Sequence, residues 1–184
     1  MLEQRLNDLD RRVRELMRGH VPAVAHEHIV TDDSTPAGRA IRLVLAELRH
    51  DVPYDSCSVQ ELRGSRLVIV GGVGFADLDV LLGESFDITN LDIPNGAVIH
   101  RRRPLIVRDT DQYRAFRRGL HVGSGIRSWL GVPLLCGDHL AGMMALDKCE
   151  PDFYTAIHQQ TALRYAEIAA WAMEAERNAG EKTG

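Results

Sequence analysis

The apolar positions of this chain fall into distinct periods along its length. Leu2, Leu6, Leu9, Val13 and Leu16 recur at alternating steps of four and three, with Glu3, Arg5, Asp8, Arg11, Arg12 and Glu15 between them. So narrow a stripe is the seam of paired helices rather than the broad face of a helix covering a core. The spacing predicts an amphipathic dimerisation helix over residues 1–19; docking on its own domain is the alternative. The repeat covers barely two heptads, too few to be stable alone. Residues 20–35, with Pro22, the Thr31–Thr35 polar run and the His26-Glu27-His28 triplet, read as a solvated linker. His26 and His28 have metal-ligand spacing for an extended strand but no obvious third ligand nearby.

From Pro36 the pattern becomes that of a globular domain, taken here as residues 36–178, followed by a tail at 179–184. Ala40, Ile41, Val44, Leu45 and Leu48 form the buried stripe of a helix ending near Pro53. Strands are expected at Tyr54–Leu62 and Arg66–Val73, joined through Arg63-Gly64-Ser65. Gly71, Gly72 and Gly74 interrupt the pattern, and Phe75–Pro94 shows no clear period. Asn95 is expected to cap a short helix running to Arg103, with a strand at Leu105–Val107 after it. Thr110–Gly125 reads as loop or irregular helix. Gly137-Asp138 is a type II′ turn signal between strands Ile126–Cys136 and His139–Lys148. The second of these is apolar on both faces, which places it centrally in a sheet covered on both sides. Thr155–Asn178 reads as a final helix. Ala162, Ala166, Ala169, Met173, Tyr165, Ile168, Ala172 and Trp171 give it an apolar surface wider than one sheet contact needs. Either a second chain or its own domain covers the excess.

Composition narrows the function classes. The 184 residues are 45% hydrophobic and 26% charged with a formal net charge of −4, so nothing draws the chain generally to nucleic acid or anionic lipid. Cys57, Cys136 and Cys149 are too sparse and too far apart for a disulfide framework and read as reduced thiols. Met1 is followed by a charged helical pattern, so a signal peptide is not expected, and no apolar run nears the roughly 20 residues of a membrane helix. A cytoplasmic protein is expected.

Motifs for catalysis do not assemble. Gly71-Gly72-Val73-Gly74 lacks the Lys-Ser or Lys-Thr of a phosphate loop. Val122 and Ile126 stand where a nucleophile elbow around Ser124 needs glycines. Arg101, Arg102, Arg103, Arg108, Arg114, Arg117 and Arg118 suit an anion chemically, but read better as a solvated or partner-facing surface.

Three stretches carry a family resemblance: Asn95–His100 followed by Arg103–Asp109, Ile126–Leu134, and Leu140–Asp147 with Phe153 and the last helix. In this order they resemble the GAF domain, over roughly Pro36–Glu176. The resemblance implies an α+β fold, a PAS-like central antiparallel sheet with the terminal helices on one face and a ligand pocket on the other. It also implies a sensory role: a small molecule binds, and paired helices of a homodimer relay the signal to an output domain such as a kinase or cyclase. A degenerate domain serving only dimerisation, and a free methionine sulfoxide reductase, are the alternatives. Subfamily marks are missing. Ile157-His158 replaces the acidic pair of cyclic-nucleotide binders, Leu120 precedes His121 where bilin binders place Cys, and no cysteine lies between Cys57 and Cys136, which argues against the reductase. No catalysis and no metal are expected, and the identity of any cofactor stays open.

On that fold the pocket is expected between the central strands and the two excursions, lined by Phe75, Ile93, Tyr113, Phe116, Ile126, Ser128 and Leu130. Ile126, Ser128 and Leu130 would share a strand face by the period of two. Asp109 would either receive a ligand donor or cap backbone N–H groups of its loop. Ser128→Phe is expected to fill the cavity.

Overall fold

The computed structural model describes residues 1–20, 28–78, 80–116 and 125–182. Helix α1 (Leu2–Met17) opens the chain and buries Leu6, Leu9, Val13 and Leu16. The seam expected to face a second chain is instead packed within the same core cluster as helices α2 (Pro36–Leu48) and α4 (Ala156–Glu181). The reason is the surface those helices offer: Leu43, Leu48, Tyr165 and Ala172 need a cover, and each large side chain buried is favoured by about 1.5–3 kcal/mol. Polar contacts ring the junction. Arg12 donates to Glu47 at 2.8 Å, Arg164 pairs with Glu3 at 3.0 Å, and the Arg14 guanidinium lies 4.3 Å over the Trp171 ring.

The stretch read as a linker is partly structured. Ile29–Thr31 forms strand β1, paired antiparallel with Val73–Gly71. Thr35 caps α2, its Oγ1 accepting from the Gly38 N–H at 2.9 Å, and Pro36 occupies the first turn where no N–H is needed. His28 is exposed; Pro22 and His26 lie outside the described residues.

Strands β2 (Ser56–Arg63) and β3 (Arg66–Val73) form the first hairpin, and β4 (Ser85–Asp87) adds to β3. Helix α3 (Pro94–Arg101) precedes β5 (Leu105–Val107), β6 (Ser128–Cys136) and β7 (His139–Lys148). All pair antiparallel in one sheet, in the order β1-β3-β2-β7-β6-β5. β7 is central, as its two apolar faces require. Gly137 has φ +56° while Asp138 is not left-handed, in keeping with a type II′ turn closing β6 onto β7.

Asn95 does not cap α3. Ile93 holds the cap position without a side-chain bond, and Asn95 instead donates to Gln60 Oε1 at 3.1 Å. The broad apolar surface of α4 is used within the chain, since Ala162, Tyr165, Ala166, Ala169 and Ala172 are all buried against the sheet, α1 and α2. Thus α2 and α4 cover one sheet face and α1 covers them. A smaller core of Leu67, Val98, Val107, Trp129 and Met143 lies on the other face, beneath α3. Among the described residues, no helix is long and apolar enough to cross a membrane.

Candidate ligand-binding site

The sheet face opposite α2 and α4 carries a cavity of about 350 Å³. Alternation along the strands determines its floor: Ser58 and Gln60 of β2, Ile69 of β3, Trp129 of β6, and Ala145 and Asp147 of β7 point into it. Phe75, Leu81 and β4 form one wall. Ile93, Pro94 and Asn95 form another, and Phe116 and Ile126 close a third side. Trp129 meets Phe116 edge-to-face, with centroids 6.4 Å apart. The indole has room because the next residue on its strand face is Gly131, where a Cβ would stand 2.2 Å from the ring.

A polar string crosses the floor. Asn95 Nδ2 donates to Gln60 Oε1 at 3.1 Å, and Gln60 Nε2 to Ser58 Oγ at 2.8 Å. Beside it Ser56 Oγ donates to Asp147 Oδ2 at 2.6 Å, the one side-chain hydrogen bond of Asp147 among the described residues. Burial pushes the Asp147 carboxyl up to about 7, against the lowering effect of Ser56 and with a small push from the Asp55 charge. Asp147 ends a strand that is otherwise apolar, and reading that strand only for its core hides the carboxylate. Its signal was an ionisable residue directly after seven non-ionisable ones, Leu140–Leu146.

Of the residues expected in the pocket, Phe75, Ile93, Phe116 and Ile126 line it. Ser128 and Leu130 do not. Both are fully buried on the opposite side of β6, where Leu130 joins the helix-side core, and the pocket face belongs to Trp129. Ile126 lies before the strand begins, so its direction does not set the phase of Ser128. Tyr113 is a clasp rather than lining: its hydroxyl donates to the Asp92 carbonyl at 3.2 Å. Asp109 also faces elsewhere. It accepts the Asp111 N–H at 3.1 Å and pairs with Arg127 at 3.1 Å, whose guanidinium holds its carboxyl below the ordinary range. That is the loop-capping role.

Among the described residues, the arginines do not converge on a site. Arg108 pairs with Asp152 and Arg102 donates to the Asp138 carbonyl, while Arg101, Arg103 and Arg114 are exposed. Arg117, Arg118, His121 and Ser124 lie outside the described residues. Cys57 is buried on the helix side, Cys136 is half-buried beside that core, and Cys149 is exposed. Burial raises the Cys57 thiol far above its ordinary range, and burial with the Asp55 contact raises Cys149, so neither is an activated thiolate.

Residues 37–173, well over half of the chain, match the sequence model of the GAF domain. The chain belongs to the GAF family.

This is a sensory, small-molecule-binding family. The fold of this GAF domain is shared by solved structures of low identity. The GAF domain of a phosphoenolpyruvate-protein phosphotransferase from Coxiella burnetii superposes with TM-score 0.72 at 16% identity, covering 97% of this chain and 98% of that one. Free methionine-R-sulfoxide reductase from Neisseria meningitidis, solved with its substrate, gives 0.70 at 15% identity, covering 97% and 92%. The A. aeolicus nlh2 GAF domain in an inactive state gives 0.63 at 13%, covering 95% and 98%. A search of curated proteins finds no match to this GAF domain.

Proposed function

We propose that this GAF domain is a non-catalytic sensor, binding a small molecule in the cavity above β2, β6 and β7 and relaying its presence through α1 and α4 to an output domain or partner. The observation that carries the reading is the cavity itself: about 350 Å³, aromatic-walled, with a buried carboxylate on its floor. Cavities of this size and mixed lining suit small organic ligands better than bare ions. The coupling route is short. Ala145 faces the cavity while its neighbours Met144 and Leu146 pack in the core formed with α4, so a displaced β7 moves both layers. The relay runs through a homodimer, formed by the outer faces of α1 and α4 since the α1 seam is occupied. A kinase or cyclase is the class of output that such a helical relay serves.

Native mass spectrometry of the purified protein is the test, reading ligand and dimer mass together. A retained small molecule is expected on the wild type and none on Ala145→Phe, whose ring fills the cavity. Ser128→Phe, by contrast, is expected to destabilise the domain without filling the cavity, because it overpacks the fully buried helix side. Retention by Ala145→Phe would place the ligand elsewhere.

The reductase reading requires cysteine chemistry in the pocket. No cysteine is among the described lining residues, and none occurs in the sequence between Cys57 and Cys136. Replacing Cys57, Cys136 and Cys149 together by Ser is therefore expected to leave ligand retention intact, with a stability loss of roughly 1–3 kcal/mol from buried Cys57. Methionine sulfoxide reduction that vanishes in the triple variant would decide for the enzyme.

A further inference from the structure

We infer that the ligand of this cavity is an uncharged aromatic carboxamide, with its amide group on the polar row of β2 and its ring among the aromatic side chains. The inference rests on the sensory reading of the cavity and specifies what the sensor recognises. Three observations converge on it.

The first is where the polar residues of β2 stand. Ser58 and Gln60 face the cavity, and Ser56 precedes them at the same period of two. The residues between them, Cys57 and Val59, join the helix-side core. Ser56, Ser58 and Gln60 are each 6% exposed or less. Polar groups withdrawn from water to this degree need hydrogen-bond partners, and a purely apolar occupant would supply none. The row therefore marks the edge of the cavity at which a ligand's polar group belongs.

The second is the hydrogen-bonding capacity of the row. Asn95 donates one N–H to Gln60 Oε1 at 3.1 Å, and Gln60 donates one to Ser58 Oγ at 2.8 Å. A primary amide carries two N–H groups and a carbonyl, so these bonds use one N–H of each. Among the described residues, no further side-chain bond engages either amide. The second N–H of Gln60 suits a ligand carbonyl, and the Asn95 carbonyl suits a ligand N–H. A carboxamide presents both from one planar group and lengthens the chain of amides by one member. Being neutral, it exchanges hydrogen bonds with water for these without carrying a charge out of water. The other end of the row fits a neutral partner as well. There Ser56 donates to Asp147 at 2.6 Å, and burial favours the uncharged acid.

The third is the wall. Phe75, Phe116 and Trp129 line the same cavity, the last two edge-to-face with centroids 6.4 Å apart. Aromatic side chains receive a flat ring on their faces and edges, with gains beyond those of area alone. A carboxamide conjugated to such a ring lies near the ring plane. The ligand is then polar at one edge and apolar elsewhere, as the cavity is. The row orients the amide and the rings hold the rest.

Titration calorimetry on the full chain with matched probes tests this: benzamide, 2-naphthamide and indole-3-carboxamide, each against the methyl ketone of the same ring. Within a pair only NH2 and CH3 differ, so the comparison reads the ligand's N–H groups. At least one carboxamide is expected to bind about tenfold or more tightly than its ketone. The carboxylate and aminomethyl counterparts of that ring are expected to bind more weakly than the carboxamide. Asn95→Leu, which removes the acceptor for the ligand N–H, is expected to erase the preference over the ketone. The wild-type ranking needs no variant and stands even if Asn95→Leu folds poorly. Equal binding within every pair, tighter binding of a charged counterpart, or failure of every carboxamide to bind overturns the inference. So does a preference that persists in folded Asn95→Leu. If the carboxamides fail while Ala145→Phe still abolishes a ligand seen by native mass spectrometry, the sensory reading survives and the carboxamide assignment alone falls.

Discussion

Replacing Leu9 and Val13 together by alanine is expected to destabilise the domain by about 4–6 kcal/mol, a large share of the roughly 5–15 kcal/mol that holds a domain folded. Both side chains are essentially inaccessible to solvent and sit one helical turn apart at the junction of α1 with α2 and α4. Each truncation loses transfer free energy and leaves a cavity; because the sites adjoin, the two losses will not add cleanly. Urea unfolding followed by circular dichroism checks the effect, and repeating it over a hundredfold range of protein concentration checks the cause. A helix docked within its own chain gives a wild-type midpoint independent of concentration. A midpoint that climbs with concentration would return the α1 seam to an interchain role.

The second large effect is a dependence on pH. Asp147 titrates near 7 in the folded chain because burial disfavours its charge, against an ordinary value of 3.8. Between those values the folded chain keeps a proton that the unfolded chain releases. The stabilisation from this group is complete below about pH 4 and is lost as pH rises through about 7. At about 1.4 kcal/mol per pH unit, the interval sets an upper limit of roughly 4 kcal/mol. Asp33, Asp55 and Asp109, held ionised by cationic or N–H partners, act in the opposite direction, so wild-type stability alone will not isolate the effect. The difference between wild type and Asp147→Asn will. Asn keeps an acceptor for Ser56 but cannot ionise, and its advantage should grow from about pH 4 and level off above about pH 7. A constant difference would mean that Asp147 is solvated.

The same residues show why some of this was legible in the sequence and some was not. The β6–β7 hairpin could be read because Gly137-Asp138 fixes both turn and register, and the central position of β7 followed from its double apolar face. The phase of β6 could not be read. Ser128 to Leu134 is buried throughout, so a period of two exists but nothing in it says which set faces the helices. That is how Ser128 and Leu130 came to be expected where Trp129 stands. β4 spans three residues on a sheet edge, too short for alternation to appear. The α1 heptads predicted a stripe correctly, but a stripe names no partner, and the apolar surface of α2 and α4 that covers it is assembled only in three dimensions. Asp147 was hidden by the opposite problem: its chemistry lies in its surroundings, and no spacing singles it out.

The two tryptophans stand on opposite sides of the sheet, Trp129 on the cavity floor and Trp171 beneath the Arg14 guanidinium on α1. The domain therefore carries two native tryptophan fluorophores, one for each end of the proposed relay. In a Trp171→Phe background the emission reports only occupancy of the cavity; in a Trp129→Phe background it reports only the seating of α1. Recorded side by side after rapid mixing, the two traces would time the passage of a signal across the sheet without a label.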